Sequence, residues 1–146
     1  MAVEPDSAQV AELGAIAGGP DDGPVVMLNL NAYRERAAYE GEPPGGEDPD
    51  VGGREAYSRY AAVALATLAK LGAKILWHTE AGQTVVGDSS DVYDEVVAVW
   101  YPSRAAFLQL ATDPEVVPAM AHRVAGLERA AIICCPSGPE AQLTGF

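Results

Sequence analysis

The feature that most constrains this chain is a change of apolar period that falls on one dipeptide. Residues 92–101, VYDEVVAVWY, alternate with period two as a strand does, and from Ser103 the run SRAAFLQL reads as helix. Pro102 between them has no amide hydrogen to give a sheet ladder, so strand pairing must stop there. Ser103 is suited to cap the helix, its hydroxyl accepting a free first-turn amide.

The same two periods recur along the chain. Residues 25–33, VVMLNLNAY, alternate strictly, with Val26, Leu28, Leu30 and Ala32 on one face and Met27, Asn29, Asn31 and Tyr33 on the other. Residues 54–71 place Tyr57, Tyr60, Ala64, Leu65, Leu68 and Leu71 at helical spacing, and Gly72 is a C-terminal cap. Residues 73–80 read as a second strand, with a short apolar piece at 84–86 beyond Gly82. Asp113-Pro114 starts another helix, Asp as the cap, which Pro118 kinks or ends; residues 129–135 form the last strand. A short leading helix, capped by Ser7 and striped with Val10, Leu13 and Ile16, precedes all of these.

The order is therefore β-α-β-β-α-β after one extra N-terminal helix. It predicts an α+β fold of ferredoxin-like type, a four-stranded antiparallel sheet with both main helices on one face. Residues 1–24 form a helical extension, residues 25–135 the domain, and residues 136–146 a tail. Residues 40–53 form an acidic loop of three prolines, five glycines and five carboxylates, a flap or an inert insertion without core-forming residues. The uncovered sheet face is expected to carry Met27, Leu76, Val96, Ala98 and Trp100. That is too apolar for water, so a second copy of the chain should cover it.

Composition excludes several classes. The net charge is −12, and residues 1–55 hold twelve carboxylates against three arginines, so a phosphate backbone would be repelled and no nucleic-acid partner is expected. No apolar run approaches the roughly 20 residues of a membrane helix and no signal peptide opens the chain, which makes a cytoplasmic location the default. Cys134 and Cys135 are adjacent and read as small buried apolar residues rather than a disulfide. Two histidines are too few for a His-rich metal site, and phosphate-loop and dinucleotide glycine patterns are missing, so neither a metal nor a cofactor is expected.

The stretches VVMLNLNAYRERAAY, GREAYSRYAAVALATLAKLGAKILW, YDEVVAVWYPSRAAFLQLATDPEV and HRVAGLERAAII together resemble the family called domain of unknown function 1330, in the dimeric α/β-barrel superfamily. The resemblance runs from about Val25 to Cys135, and the Tyr-Pro-Ser-Arg hinge with the following Asp-Pro carries most of it. It implies two plaits packed sheet to sheet, with a pocket between sheet and helices or inside the barrel. It implies no reaction, since the superfamily spans cofactor-free monooxygenases, cyclases, isomerases, haem enzymes and binding regulators. Tyr93 and Trp100 depart from the Trp and the Arg or Glu often found at these family positions, so any chemistry served there is changed.

The resemblance directs Tyr101 under the helices and Trp100 toward the barrel, and Asp94 then shares a space with Asn29 and Asn31. His78 joins them if the second strand's register turns Leu76 to that face. His78 and Asp94 would be the catalytic acid–base pair, with the asparagines holding an enolate or oxyanion. The plain alternative leaves His78 in solvent and Asp94 in a local ion pair. Tyr57 and Trp100 would add substrate-binding surface, although both residue types are equally at home in a core. His122-Arg123 would bind an anionic group, or simply answer a helix dipole. Arg104, early in a helix where a cation is unfavourable, needs a carboxylate across a dimer contact or a ligand anion. The functional expectation is a small cofactor-independent enzyme moving protons on an apolar or aromatic carbonyl compound, of isomerase, cyclase or monooxygenase type. The alternative is a homodimeric, non-catalytic protein that binds a small molecule.

Overall fold

A computed structural model describes residues 2–137 of the chain. The elements are α1 (Ser7–Ile16), β1 (Val25–Tyr33), α2 (Gly53–Lys70), β2 (Lys74–Glu80), β3 (Glu95–Tyr101), α3 (Arg104–Thr112), α4 (Val116–Gly126) and β4 (Leu127–Pro136). All neighbouring strands are antiparallel, in the order β2-β3-β1-β4, which is the ferredoxin-like plait predicted from the order of periods.

The strand-to-helix switch forms as its chemistry requires. Tyr101 ends β3, and Ser103 Oγ accepts the Ala106 amide at 3.0 Å as the cap of α3. Gly72 follows α2 with φ +71°, the left-handed conformation that lets the Ala73 amide return to the Leu68 carbonyl at 3.0 Å. The core lies between sheet and helices, where Val25, Met27, Val99 and Tyr101 from the strands meet Leu68, Ala106, Leu110 and Val116 from the helices.

Directly opposed residues of an antiparallel pair share a face. Met27 opposes Val99, Asn29 opposes Val97 and Asn31 opposes Glu95, so these six lie together on the helix side with Tyr101. Val26, Leu28 and Leu30 oppose Trp100, Ala98 and Val96 on the outer side. The expectation that Met27, Asn29 and Asn31 share a face with Trp100 is thereby corrected, because it joined the wrong halves of the two strands. Ala98 is buried even on the outer side, whereas Trp77 and Ile133 there are about half exposed.

Other boundaries shift for local reasons. Asp6, rather than Ser7, caps α1, in a reciprocal pair with Gln9. Strand β3 begins at Glu95, and residues 84–86 are no strand, Val85 and Val86 being almost fully exposed. Asp113 ends α3 and its carboxylate accepts the Glu115 amide at 2.8 Å ahead of α4. Pro118 neither kinks nor ends α4, for it sits in the first turn, where its missing amide hydrogen has no partner to lose. The acidic loop is not free of the core: Val51 and Pro43 are buried, and Arg36–Asp50 and Arg59–Glu47 pairs tie the loop down. Both cysteines are free and only partly buried. Of the predicted tail only Pro136 and Ser137 are described, and residues 138–146 lie outside the described residues.

Candidate functional site

A partly open cavity of about 1050 Å³ lies between the helix-side face of the sheet and α2, α3 and α4, with α1 and residues 2–5 along its rim. Strand alternation aims Met27, Asn29, Val97 and Val99 into it, and the buried stripe of α2 adds Tyr57, Tyr60, Ala64 and Leu68. A smaller depression of about 350 Å³ beside Tyr39 and Glu42 holds none of the predicted site residues.

One end of the cavity is polar. Glycines 53 and 126 allow α2 and α4 to touch backbone to backbone there: a Cβ on Gly126 would fall 2.4 Å from the Gly53 carbonyl oxygen and 2.8 Å from the Tyr57 amide nitrogen. This contact brings Tyr57 of α2 beside Arg123 of α4. The Tyr33 hydroxyl donates to Glu95 Oε1 at 2.7 Å. Arg54 places a guanidinium nitrogen 3.5 Å from Glu95 Oε2 and its planar group 4.6 Å over the Tyr33 ring. The rings of Tyr33, Tyr57 and Tyr60 follow one another at 5.3 and 5.5 Å.

Burial, with the adjoining Glu95 carboxylate, pushes the Tyr33 hydroxyl far up, and the Asn31 amide opposes the rise. Tyr57 and Tyr60 are also raised by burial, against the pull of the Arg123 charge. These phenols are therefore protonated hydrogen-bond donors at neutral pH. Asn31 is 1 % exposed; its amide lies close enough to Tyr33 and Tyr57 to favour their ionised forms, yet Nδ2 has no partner of full hydrogen-bond geometry.

The predicted site residues divide between this cavity and other places. Asn29, Tyr57, His78, Arg104 and Arg123 line it, and Asn31 stands beside Tyr57. His78 shares the face of Asn29, but through a bulge between Ile75 and Trp77 that leaves Leu76 as an extra residue. His78 is exposed, on an edge strand. Asp94 is not in the cavity. It precedes β3 at the end of the sheet, exposed, where its Oδ2 accepts the Tyr33 amide at 2.7 Å. The expected acid–base pair of His78 with Asp94 is accordingly not formed.

Trp100 faces outward beneath the Lys74 ammonium, 5.6 Å from its ring, and does not line the cavity. Arg104 has its carboxylate within the same chain, 3.7 Å away on Asp22, rather than across a dimer contact. His122 is buried and turned to the acidic loop, with Nδ1 2.7 Å from the Tyr39 hydroxyl, which also accepts from Arg59 at 3.1 Å. Burial lowers its pKa; the Arg59 charge acts the same way and Glu47 opposes. Sequence reasoning overlooked Tyr33 and Glu95; pairing Asn31 with Glu95 across the two strands is the signal that finds them. Among the described residues no group of three or more His, Cys, Asp or Glu side chains could hold a metal ion, and no helix is long and apolar enough to cross a membrane.

The family described as Domain of unknown function (DUF1330) matches residues 48–135. Among solved structures the chain is similar to the methylated RPA0582 protein, at 31 % identity and a TM-score of 0.78 over 96 % of this chain and 98 % of that one. A second RPA0582 structure, of a protein of unknown function from Rhodopseudomonas palustris, agrees at 31 % identity and a TM-score of 0.78 over 94 % and 98 %. No curated protein matches the chain.

Proposed function

The chain belongs to the DUF1330 family, and from that premise we propose that it is a homodimeric protein that binds a small, largely apolar molecule between its sheet and helices. The cavity carries this reading. At about 1050 Å³ it lies just above the range of ordinary ligand sites, roughly 300–1,000 Å³, and its walls are chiefly hydrocarbon with a cluster of polar groups at the end near Tyr57. A sheet that served only to make a core would have that face filled.

Binding is preferred to catalysis because Asp94 accepts the Tyr33 amide and does not line the cavity that His78 lines. The homodimer is supported by the outer face, where Trp77 and Ile133 are 50 % and 49 % exposed on a surface that no helix among the described residues covers.

The test is thermal unfolding with and without octan-1-ol, a neutral probe that fits the cavity and has no charge to be read elsewhere. A ligand that binds only the native state raises Tm with concentration by mass action. Saturable stabilisation is expected, and no shift up to the solubility limit would contradict the reading. Light scattering at micromolar concentration is expected to give twice the monomer mass; a monomer would remove the dimer from it.

A further inference from the structure

One charge in the cavity wall has no counter-charge among the described residues. Arg123 is 7 % exposed, and no carboxylate lies within 4 Å of it among the described residues. The other carboxylates on the cavity wall are Glu4, Glu12 and Glu95, and Glu95 is taken by Tyr33 and Arg54. The other wall cation, Arg104, is matched by Asp22. Among the described residues the Arg123 side chain donates a single hydrogen bond, to the carbonyl of Val3 in the segment before α1. A guanidinium has five N–H donors, so this neutral acceptor leaves most of them unused and the charge unbalanced.

A buried cation is costly unless paired, and its neighbours are donors as well. The Tyr57 and Tyr60 hydroxyls feel its charge and remain protonated, and Asn31 Nδ2, itself fully buried, approaches the Tyr33 and Tyr57 hydroxyls without a partner of full hydrogen-bond geometry. The Arg123 donors, left without an anionic acceptor among the described residues, define the ligand's missing half: an anionic oxygen group. The apolar lining from Met27, Leu68, Val97, Val99, Phe107 and Ile132 defines the other half as hydrocarbon.

Resting on the reading of this cavity as a ligand site, we infer that its ligand is an amphipathic carboxylate, its head on Arg123 beside Tyr57 and its tail along the sheet. The planar fork of Arg123 suits two carboxylate oxygens, and the Tyr57 hydroxyl supplies a further donor. The Val3 carbonyl accepts from one N–H of Arg123, which leaves the others to donate to the carboxylate.

The experiment is calorimetric titration of the full chain at pH 7.5 with octanoate, octan-1-ol and octylammonium, which share a tail and differ in the head. Octanoate is expected to bind at least about tenfold tighter than octan-1-ol, the effect of charge-assisted hydrogen bonds at a sheltered site, and octylammonium weakest. Arg123→Gln should bring octanoate to the affinity that octan-1-ol has for the same variant, removing the preference for the charged head. Tyr57→Phe, which keeps the ring, should lose part of the preference, and it carries the test should Arg123→Gln fail to fold. Equal binding of octanoate and octan-1-ol by the wild type would overturn the carboxylate inference and leave the apolar pocket standing. A preference surviving in both variants would also overturn it, and binding of none of the three would end both readings.

Discussion

Replacing Asp22 with alanine removes the knot that fastens the N-terminal segment to α3. The Asp22 carboxylate is 5 % exposed and accepts the amides of Gly18 (2.8 Å), Gly23 (2.9 Å), Arg104 (2.8 Å) and Ala105 (3.1 Å), with the Arg104 guanidinium 3.7 Å away. The two α3 amides are sheltered first-turn donors, and leaving each unmade costs about 1 kcal/mol. The helix dipole and the ion pair add about 0.5 kcal/mol each. The Gly18 and Gly23 amides turn to water at little cost, so the total is about 3 kcal/mol. For a chain of this length each kcal/mol moves Tm by about 3 °C, which makes the expected fall about 9 °C in a circular-dichroism melt at pH 7. Asp22→Asn, with one acceptor oxygen and no charge, should lose about half as much.

The pH dependence has a definite sign. Burial alone would raise the Asp22 carboxyl, but the four amides outweigh it and hold its pKa below the ordinary 3.8. The stabilisation is therefore complete above pH 3.8 and fades as pH falls through the lower folded value. The gap between wild type and Asp22→Ala should persist from pH 7 to about pH 4 and close only below it. A variant melting within about 2 °C of wild type at pH 7 would refute the reasoning, as would a gap already closed by pH 5.

Two further substitutions probe the polar end and the acidic loop. Gly126→Ala puts a methyl group 2.4 Å from the Gly53 carbonyl oxygen, so α2 and α4 must part; a loss of about 2–3 kcal/mol in urea unfolding is expected, while Gly82→Ala, in open space, should be near neutral. His122 has a pKa lowered from 6.5, chiefly by burial, with Tyr39, Arg59 and Glu47 as its neighbours. Its stabilising effect is full above pH 6.5 and declines, by at most about 1.4 kcal/mol per pH unit, as pH falls toward the folded value. His122→Gln should abolish that part of the slope between pH 7.5 and 5, and an unchanged slope would contradict the assignment.

The order of elements was legible because each carries its own local chemistry: alternation in β1, helical spacing in α2, Pro102 and Ser103 at the switch. These signals act over a few residues and need no partner. The face of each strand depends on register, which is a property of pairs. Asp94 has the parity of Trp100, and reading β1 and β3 separately gave no reason to set Asn31 against Glu95 instead. The bulge at Leu76 turns His78 onto the face of Asn29, yet no glycine or proline marks it in the sequence. The Val3 carbonyl on Arg123 is a backbone contact across 120 residues, and side-chain identities carry no sign of it. Arg123 was recognisable as an anion-binding candidate; its distance from the carboxylates of the described residues was not, since that depends on how α4 is packed.

The central claim is that the space beneath α2 and α4 is a ligand site, and the methionine methyl groups report on it most directly. Met27 and Met120 both line the cavity, whereas Trp77 and Trp100 are outside it, with Trp100 on the opposite face of the sheet. With ¹³C-methyl methionine and ¹⁵N-indole labels, octan-1-ol should move the Met27 and Met120 methyl signals along one saturating curve and leave the two indole N–H signals in place. Methyl signals that stay fixed while the indoles move, or a spectrum that does not change at all, would contradict it.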